Sequence, residues 1–473
     1  MKGQTSLKQK LLKGGLYLAV RQLIGSALSL ISILVIARVL GPENYGIVTI
    51  ATGILLFTIW TGKLGLDVYL IRQPDLPPDS AEQILAFYNT VGVGLCGILW
   101  LAVPLFELWT GQAIVVQVLR WLIPVIWLEM VASASISMME RELHFDQVGL
   151  IETIAQAANY LLAIPLVLAN FSYWGPIYGW ILQYALLMFM GRRCYPVRWR
   201  WRWRWNFIRE ALRCGLAYSG SNLIVSLKAL TLPLFVSRFA GLEAAGIIGI
   251  ATRLADQLGL FRLVISRLSI SAIAKLIGNP EATRRAVSQG IVYQGLIVGP
   301  PFALFACCAI WVIPLVFGEQ WLPSVPIFTL IAVARLIDSV FNLHIATLYA
   351  AGHNREVAKF NAWYVGLFWV ATWLLLPPLG AWGYGLSEIF SLLSYTFVHG
   401  SLARLSGSPD YQDGIWLVVA TLPPLLAGPW VSPLISLPLF IGSYGLLFLM
   451  RSSIRKIPLE LYAVWQSRKV VST

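Results

Sequence analysis

Long apolar stretches alternate with short polar connections along most of the chain. The stretches Leu16–Ala37 and Val287–Phe317, for example, reach the roughly 20 residues that a helix needs to cross a bilayer. Together with the Gly, Pro and charged residues that flank each stretch, this pattern predicts fourteen membrane-spanning helices. They lie near 15–37, 47–66, 82–104, 113–137, 147–169, 174–191, 214–236, 244–266, 286–315, 326–350, 358–377, 381–400, 414–429 and 434–450.

The composition agrees with this pattern. Of the 473 residues, 58% are hydrophobic and only 12% are charged, whereas a soluble domain carries about 25% charged residues. A soluble enzyme, a disordered protein and a coiled coil are therefore excluded, and we expect an all-α polytopic membrane protein. Four lysines precede the first stretch, as in a signal peptide, but the stretch is longer than the roughly 7–15 residues of a signal core. We therefore expect a retained first helix.

The positive charge indicates how the chain is oriented. In a soluble protein a net charge of +13 would indicate binding to nucleic acid. In a membrane protein the positions of the positive residues instead indicate which connections are cytoplasmic. If the N-terminus is inside, most Lys and Arg residues fall in the tails and the even-numbered connections, whereas the odd-numbered connections hold only Arg38 and Arg238. Because positive residues collect on the cytoplasmic side, both termini are predicted to be cytoplasmic, and nucleic acid is not expected as a partner.

An internal repeat relates the first predicted helix to the seventh. Shifting the sequence by 200 residues makes 15 of the 40 positions from 13 to 52 identical, including Arg38/Arg238, Gly41/Gly241 and Gly46/Gly246. Six helices per repeat give both copies the same orientation, an arrangement typical of transporters. We therefore predict two parallel six-helix lobes and two extra C-terminal helices. The predicted bounds are 1–191 for the N-terminal lobe, 192–213 for a cytoplasmic Arg/Trp-rich linker, 214–400 for the C-terminal lobe, and 401–473 for the two additional helices and a cytoplasmic tail.

Three motifs resemble a known family. Arg38-Val-Leu-Gly-Pro-Glu-Asn-Tyr-Gly46, with Gly65-Leu-Asp67 and Ile71-Arg-Gln73 after it, resembles the polysaccharide-biosynthesis (Wzx-type) flippases. Met139-Glu-Arg-Glu-Leu-His-Phe145 is similar to the loop of their WzxC-like branch, with Glu140 in place of the usual Gln. Ala350-Ala-Gly-His-Asn-Arg355 occupies the equivalent loop of the second half, with Gly-His where the family often has Gly-Arg.

This resemblance implies a function. The family belongs to the MATE-like exporter superfamily, so the resemblance implies alternating access between two lobes in a bacterial inner membrane. It also implies a polyprenyl-diphosphate-linked oligosaccharide as cargo, moved for surface polysaccharide (O-antigen or exopolysaccharide) synthesis. A glycan polymerase and export proteins would be further partners. No cofactor, metal or catalytic residue is expected, because no nucleophile–base or metal-ligand spacing occurs and the five Cys and four His residues form no cluster.

Two other functions remain open at this point. A MATE-type cation-coupled exporter of small organic molecules would need an acidic cavity, whereas the charged residues inside the predicted helices comprise seven cations and six acids. A membrane glycan polymerase or ligase would need a large periplasmic loop, and every predicted outside connection is short. The lipid-linked oligosaccharide flippase is therefore the favoured hypothesis.

Charged residues within the predicted helices are the candidate binding residues, since a charge at bilayer depth usually faces a cavity or a partner. Arg21 and Lys228 lie on the repeat-related first and seventh helices. In the family, helices one, two, seven and eight line the central cleft, so we expect a cationic cavity that holds the diphosphate. Its residues would be Arg21, Lys228, Arg253 and Arg262. For Arg21 and Arg262, near helix ends, snorkelling to the membrane surface is the alternative.

The remaining buried charges have two interpretations each. Glu129, Glu152 and Glu388 are candidates for proton or sodium coupling, or else pair with a cation on a neighbouring helix. Spacings of three or four residues favour structural ion pairs on one helix face. Those pairs would be Lys63 with Asp67, Arg253 with Asp256, and Arg335 with Asp338.

The linker carries an alternating run of cations and aromatic residues. Arg and Trp together favour the headgroup layer of a membrane, so we interpret the run as an interfacial anchor that contacts anionic membrane lipids. Capture of lipid-linked cargo is the alternative. The run comprises Arg198, Trp199, Arg200, Trp201, Arg202, Trp203, Arg204 and Trp205.

Overall fold

The computed structural model describes residues 2–260, 273, 275, 276 and 278–456, except for the side chains at 2–24, 26, 27 and 218. Within these residues the chain is built from helices. The first half contains α1 (Lys2–Lys63), α2 (Leu66–Arg72), α3 (Ser80–Thr110), α4 (Ala113–Arg141), α5 (Phe145–Leu168), α6 (Trp174–Cys194), α7 (Trp205–Ser226), α8 (Ser237–Phe239) and α9 (Gly241–Leu258). The second half contains α10 (Pro280–Val316), α11 (Ser324–Ala350), α12 (Asn354–Leu379), α13 (Ala381–Ser391), α14 (Tyr395–Ser406), α15 (Gln412–Ala427) and α16 (Pro433–Met450). The expected all-α fold class is confirmed.

The chain divides into two compact units, Met1–Gly246 and Ile247–Thr473. In the first unit α5 packs against α6, α4 packs against both α3 and α6, and α1 packs against α4 and α5. In the second unit α10 packs against α11, α15 and α16, while α13 packs against α11 and α12. The domain bounds proposed from the sequence stay a prediction.

Nine helices among the described residues are long and apolar enough to cross a membrane. These candidate spans are Leu28–Lys63, Ser80–Thr110, Ala113–Arg141, Phe145–Leu168, Ser219–Phe239, Pro280–Val316, Ser324–Ala350, Asn354–Leu379 and Pro433–Met450. The apolar helix Gln412–Ala427 is shorter. The structure therefore confirms a polytopic protein, whereas the number fourteen stays a prediction.

The surface of these helices is apolar. Five leucine side chains are each more than 75% exposed: Leu101, Leu108, Leu161, Leu315 and Leu449. Such exposure is unfavourable in water but not in lipid. Several buried hydroxyl groups inside the bundle are satisfied by their own helix. The hydroxyl groups of Thr49, Thr52 and Thr372, for example, donate to the carbonyl oxygen four residues earlier. Both features suit a bundle whose solvent is the bilayer.

The first two predicted helices meet at a kink inside α1. Gly41, at the start of the connection expected to separate them, leaves the helical conformation (φ 73, ψ 171), so α1 consists of two helices joined at this residue. Glycine populates positive φ at little cost, so one residue is enough to change the direction of the helix. The repeat-related Gly241 also has a positive φ, of 85.

The two copies of this glycine motif contact each other reciprocally. A Cβ atom added to Gly46 would overlap the carbonyl oxygen of Leu242, and one added to Gly246 would overlap the carbonyl oxygen of Pro42. Only glycine permits so close an approach of two helix backbones. One pair of identical residues in the repeat, Gly46 and Gly246, therefore lets the two copies meet.

Candidate functional site

A polar cavity of about 390 Å³ lies within the first unit. Five helices contribute to it: the end of α1, the start of α2, and the facing sides of α4, α5 and α6. Its ionisable residues are one cation, Lys63, and four acids, Asp67, Glu129, Glu140 and Glu152, and its amide side chains are Gln156 and Gln183. The formal charge of its walls is therefore negative.

Lys63 and Glu129 form an ion pair across the cavity. The Nζ atom of Lys63 lies 2.6 Å from Oε1 of Glu129, and both side chains are less than 20% exposed. The predicted pairing of Lys63 with Asp67 is wrong. Because α1 ends at Lys63 and a turn at Leu64–Gly65 follows, the two residues do not lie on one helix. Asp67 instead accepts a hydrogen bond from the backbone N–H of Val68 at 2.9 Å, in the first turn of α2.

The cavity brings together two of the three acids considered for ion coupling. Glu129 pairs with a cation on a neighbouring helix, which was the alternative to a role in ion coupling. Glu152 lines the same cavity from α5. Beside it, Asn159 donates to Gln183 at 2.7 Å and Gln156 donates to the Tyr160 hydroxyl at 3.1 Å, so hydrogen bonds orient the amide groups of the wall.

The loop motif at 139–145 builds one end of this cavity. Glu140 lines it, while the Arg141 guanidinium donates to the carbonyl oxygens of Leu70, Gln73 and Pro74 at 2.7–3.0 Å. These carbonyls lie at and after the end of α2, where a helix leaves its acceptors unpaired and favours a cation. Arg141 therefore fixes the short helix that carries Asp67.

A tyrosine holds the same loop from the other side. The Tyr195 hydroxyl donates to Oε1 of Glu142 at 2.7 Å. Burial and the neighbouring carboxylate together raise the pKa of Tyr195 to about 12. The hydroxyl therefore stays protonated, and remains a donor, throughout the physiological pH range.

A second charged cluster lies within the second unit. The Arg335 side chain on α11 lies 3.4 Å from Asp256 on α9 and 3.8 Å from Glu388 on α13. Glu388 is fully buried and also accepts a hydrogen bond from the Tyr364 hydroxyl at 3.1 Å. A cavity of about 230 Å³ adjoins Asp256 and Arg335.

This cluster corrects two predicted same-helix pairs. Arg335 bonds to residues of other helices rather than to Asp338, and Asp338 accepts a hydrogen bond from the Tyr395 hydroxyl. Asp256 pairs with Arg335 rather than with Arg253. Where helices are packed side by side, a long side chain reaches a neighbouring helix as easily as its own, and burial favours the contact that neutralises the buried Glu388. Glu388, like Glu129, therefore pairs with a cation on a neighbouring helix, which was the alternative to ion coupling.

The helix predicted at 214–236 loses its regular α-helical hydrogen bonding at positions 227–236, a stretch called the interruption below, although the residues that flank both turns keep helical angles and Ser219–Phe239 forms one apolar helix. Helix α7 ends at Ser226, and a 3₁₀ turn (Leu227–Leu230) and a π turn (Leu232–Val236) follow before α8. Pro233 lies in the π turn, where it cannot donate a backbone hydrogen bond. The Trp109 indole donates to the carbonyl oxygen of Leu234 at 2.8 Å, which stabilises the interrupted backbone. Irregular turns of this kind inside a helix are frequent at functional sites and hinges.

Of the four predicted cavity cations, two have described side chains. Lys228 lies in the 3₁₀ turn and is partly buried. Arg253 lies on α9 and is also partly buried. The side chain of Arg21 and the whole of Arg262 lie outside the described residues.

Two histidines meet, although the sequence indicated no histidine cluster. Nε2 of His344 lies 2.5 Å and Nδ1 of His399 lies 2.7 Å from the hydroxyl oxygen of Tyr411. The three residues are separated by up to 67 positions, so no spacing in the sequence could have joined them. Among the described residues no group of three or more His, Cys, Asp or Glu side chains could hold a metal ion.

Comparison with known proteins relates the chain to polysaccharide biosynthesis. The family described as polysaccharide biosynthesis protein matches residues 35–326. The lipopolysaccharide biosynthesis protein WzxC of Escherichia coli (strain K12) is 25% identical over 431 residues, which cover 87% of this chain and 85% of that protein. The succinoglycan biosynthesis transport protein ExoT of Rhizobium meliloti (strain 1021) is 23% identical, with coverages of 85% and 76%.

Solved structures of transporters share the fold. The lipid II flippase MurJ, in an inward closed conformation, matches with a TM-score of 0.76 at 12% identity and covers 94% of this chain and 99% of its own. A multidrug resistance MATE family transporter in an inward-facing conformation matches with a TM-score of 0.67 at 14% identity, with coverages of 83% and 98%. At these identities the likeness concerns the fold alone.

Proposed function

The chain belongs to the polysaccharide biosynthesis protein family, and from this we propose that it is a flippase for lipid-diphosphate-linked oligosaccharides. The observation that carries the proposal is the relationship to WzxC over 87% of the chain. It is a multi-pass protein of a bacterial inner membrane and a transporter rather than an enzyme. Its cargo is the precursor of a surface polysaccharide, and a glycan polymerase and export proteins act after it.

Alternating access supplies the mechanism. A lipid-linked oligosaccharide has a polar head that cannot cross the hydrocarbon core unaided, because each buried polar group without a partner costs about 2–7 kcal/mol. A polar cavity within the helical bundle replaces those lost contacts with water. Exposure of such a site to one side and then the other moves the head across the membrane while the polyprenyl chain stays in the lipid.

Of the four proposed cations, Lys228 has the best structural support as a ligand of the cargo diphosphate. It lies in the 3₁₀ turn of a membrane helix, and turns of this kind inside helices are frequent at functional sites. Arg21, Arg253 and Arg262 complete the proposed set of cations, as expected from the sequence. A guanidinium or ammonium group bonds well to a phosphate oxygen.

The acidic cavity of the first unit favours a different ligand. Four acids and one lysine attract a cation, so we assign the cavity to a coupling proton or sodium ion rather than to the anionic cargo. Glu152 and Asp67 are the proposed acceptors, while Glu129 is held by Lys63. An exporter of small organic cations would also bind its substrate in a cavity with acidic walls. Export of such cations is therefore the alternative function to be tested.

Surface glycan and inner-leaflet precursor, measured in the same cells, test the proposal. Deletion of the protein should abolish surface glycan and cause the lipid-linked precursor to accumulate on the cytoplasmic leaflet. Lys228→Gln should reproduce this defect in part, whereas the exposed Lys359→Gln serves as a matched control that leaves export unchanged. Normal glycan with increased sensitivity to cationic drugs in the deletion strain would instead identify an exporter of organic cations.

The role of the cavity has its own test. Glu152→Gln removes a charge without changing shape, so export should lose its dependence on the proton or sodium gradient while the protein remains folded. Ser133→Ala, a neutral change in the same wall, is the control. Unchanged ion dependence in Glu152→Gln would contradict the coupling role.

The orientation is part of the proposal, with both termini in the cytoplasm. Reporters fused after Gly191 and after Arg404 should be active in the cytoplasm, and a reporter fused after Glu319 should be active outside. A periplasmic signal after Gly191 would contradict the orientation and the number of helices before it.

A further inference from the structure

The linker between α6 and α7 contains arginines of two kinds. In the alternating sequence nothing distinguishes the four arginines Arg198, Arg200, Arg202 and Arg204 from one another. In the structure, however, the extended segment that contains them bends at Trp201. Arg200 and Arg204 form ion pairs with the protein. Arg198 and Arg202 are exposed and, within the described part of the chain, form no ion pair. Every second arginine is therefore available to an external partner.

The first pair of arginines clamps the linker to the start of α3. Nε of Arg200 lies 2.7 Å from Oε2 of Glu82, and Nη2 of Arg204 lies 3.1 Å from both carboxylate oxygens of Asp79. The backbone N–H of Arg204 donates to Gln83 at 3.0 Å. The Trp203 ring meets Phe87 edge-on, with centroids 5.7 Å apart. These contacts hold the linker in place.

The second pair lies among exposed tryptophans. Trp201 and Trp205 are 70% and 60% exposed, and the Arg192 guanidinium lies 5.0 Å from the centroid of the Trp199 ring. Exposed indole rings are costly in water but stable at the boundary between headgroups and acyl chains. Arginines beside them face the anionic phosphates of that layer.

We propose that Arg198 and Arg202 bind the phosphates of anionic phospholipids at the membrane surface, while Arg200 and Arg204 clamp the linker that presents them. Four residues of extended chain separate the two α-carbons by up to about 13 Å. This distance suits two separate headgroups better than the adjacent phosphates of one diphosphate. The proposal does not depend on the identity of the cargo.

Three double variants with equal loss of charge test it. They are Arg198→Gln with Arg202→Gln, Arg200→Gln with Arg204→Gln, and Arg284→Gln with Arg285→Gln as an exposed pair far along the chain. Each full-length protein is purified, and its affinity for phosphatidylglycerol, for phosphatidylcholine and for a polyprenyl diphosphate is measured by native mass spectrometry. Thermal stability is recorded for each variant, so that a folding defect is recognised.

The Arg198/Arg202 variant should lose roughly 30-fold in affinity for phosphatidylglycerol, since each arginine near an anionic surface contributes about 1 kcal/mol, or about fivefold. Its affinity for phosphatidylcholine should not change. The other two variants should stay within about twofold of the parent. An equal loss in all three variants would show a net-charge effect, and a loss confined to polyprenyl diphosphate would show cargo capture. Either result would overturn the proposal.

Chymotrypsin gives a second measurement, because the three tryptophans of the linker, Trp199, Trp201 and Trp203, are present in every variant. Removal of the clamp in the Arg200/Arg204 variant should speed cleavage in the linker, whereas the Arg198/Arg202 variant should be cleaved at the rate of the parent. Equal protection of the clamp variant and the parent would contradict the division of the four arginines into two kinds.

Discussion

The two copies of the internal repeat differ in the regularity of one helical segment. In the first copy α1 continues without interruption through positions 27–36. At the equivalent positions of the second copy, 227–236, the helix gives way to a 3₁₀ turn and a π turn. Among the differences between these two stretches are Ile33 against Pro233 and Leu28 against Lys228. The two glycines that follow, at 41 and 46 or at 241 and 246, are the same in both.

This difference separates what the fold needs from what the function needs. Both copies keep the glycines because each Gly46 or Gly246 backbone meets the other copy. Only the second copy combines a proline, which removes a backbone donor, with a lysine on the adjoining turn. This irregular segment carries the lysine that we assign to the cargo. The repeat thus combines a symmetric contact with a segment found in one copy only.

The largest effect should come from the shared glycines. Gly46→Ala and Gly246→Ala each place a Cβ atom on a backbone oxygen of the other copy, and backbone cannot move aside as a side chain can. We expect each change to cost about 3 kcal/mol, at the upper end of the range for overpacking. Thermal unfolding of the purified proteins in detergent measures the loss.

Gly94→Ala is the matched control, because a Cβ atom there meets no other atom within 4 Å. It should leave the melting temperature nearly unchanged. If one repeat glycine accepted alanine and the other did not, the contact between the copies would not be reciprocal.

An exchange of residues between the copies should act on transport more than on stability. Pro233→Ile, which introduces the residue of the first copy, should restore a regular helix and reduce glycan export about tenfold, while thermal stability is kept or raised. Export per molecule of inserted protein is the measurement. Pro104→Leu, a change at a lipid-exposed proline of α3, should leave export unaltered. Full export by Pro233→Ile would mean that the interruption has no part in transport.

A smaller effect is expected where α3 stabilises the interruption. Trp109→Phe keeps an aromatic ring but removes the 2.8 Å hydrogen bond to the Leu234 carbonyl oxygen. The free energy of unfolding should fall by about 1 kcal/mol, the usual contribution of one hydrogen bond. Trp363→Phe, at a 60% exposed indole of α12, is the control. Identical melting of the two variants would show that the hydrogen bond contributes nothing.

The sequence predicted the helices because long apolar stretches and short connections leave few alternatives. It also predicted the repeat, whose identical glycines lie at the contact between the copies. The interruption at Pro233 was not predicted, since prolines occur inside several intact helices such as α3. Same-helix spacing misassigned Lys63 and Arg335, because their partners, Glu129 and Glu388, are distant in sequence. The acidic cavity and the Tyr411 cluster depend on packing between helices, which no local pattern contains.

The central claim, that this chain moves lipid-linked oligosaccharides, is tested most directly with the purified protein in liposomes. The probe is a polyprenyl-diphosphate oligosaccharide whose sugar is removed by a glycosidase added outside. If the account is right, the protein makes inner-leaflet probe accessible to the glycosidase, Lys228→Gln slows this, and small organic cations do not compete. Transport of an organic cation with no movement of the lipid-linked probe would contradict the account.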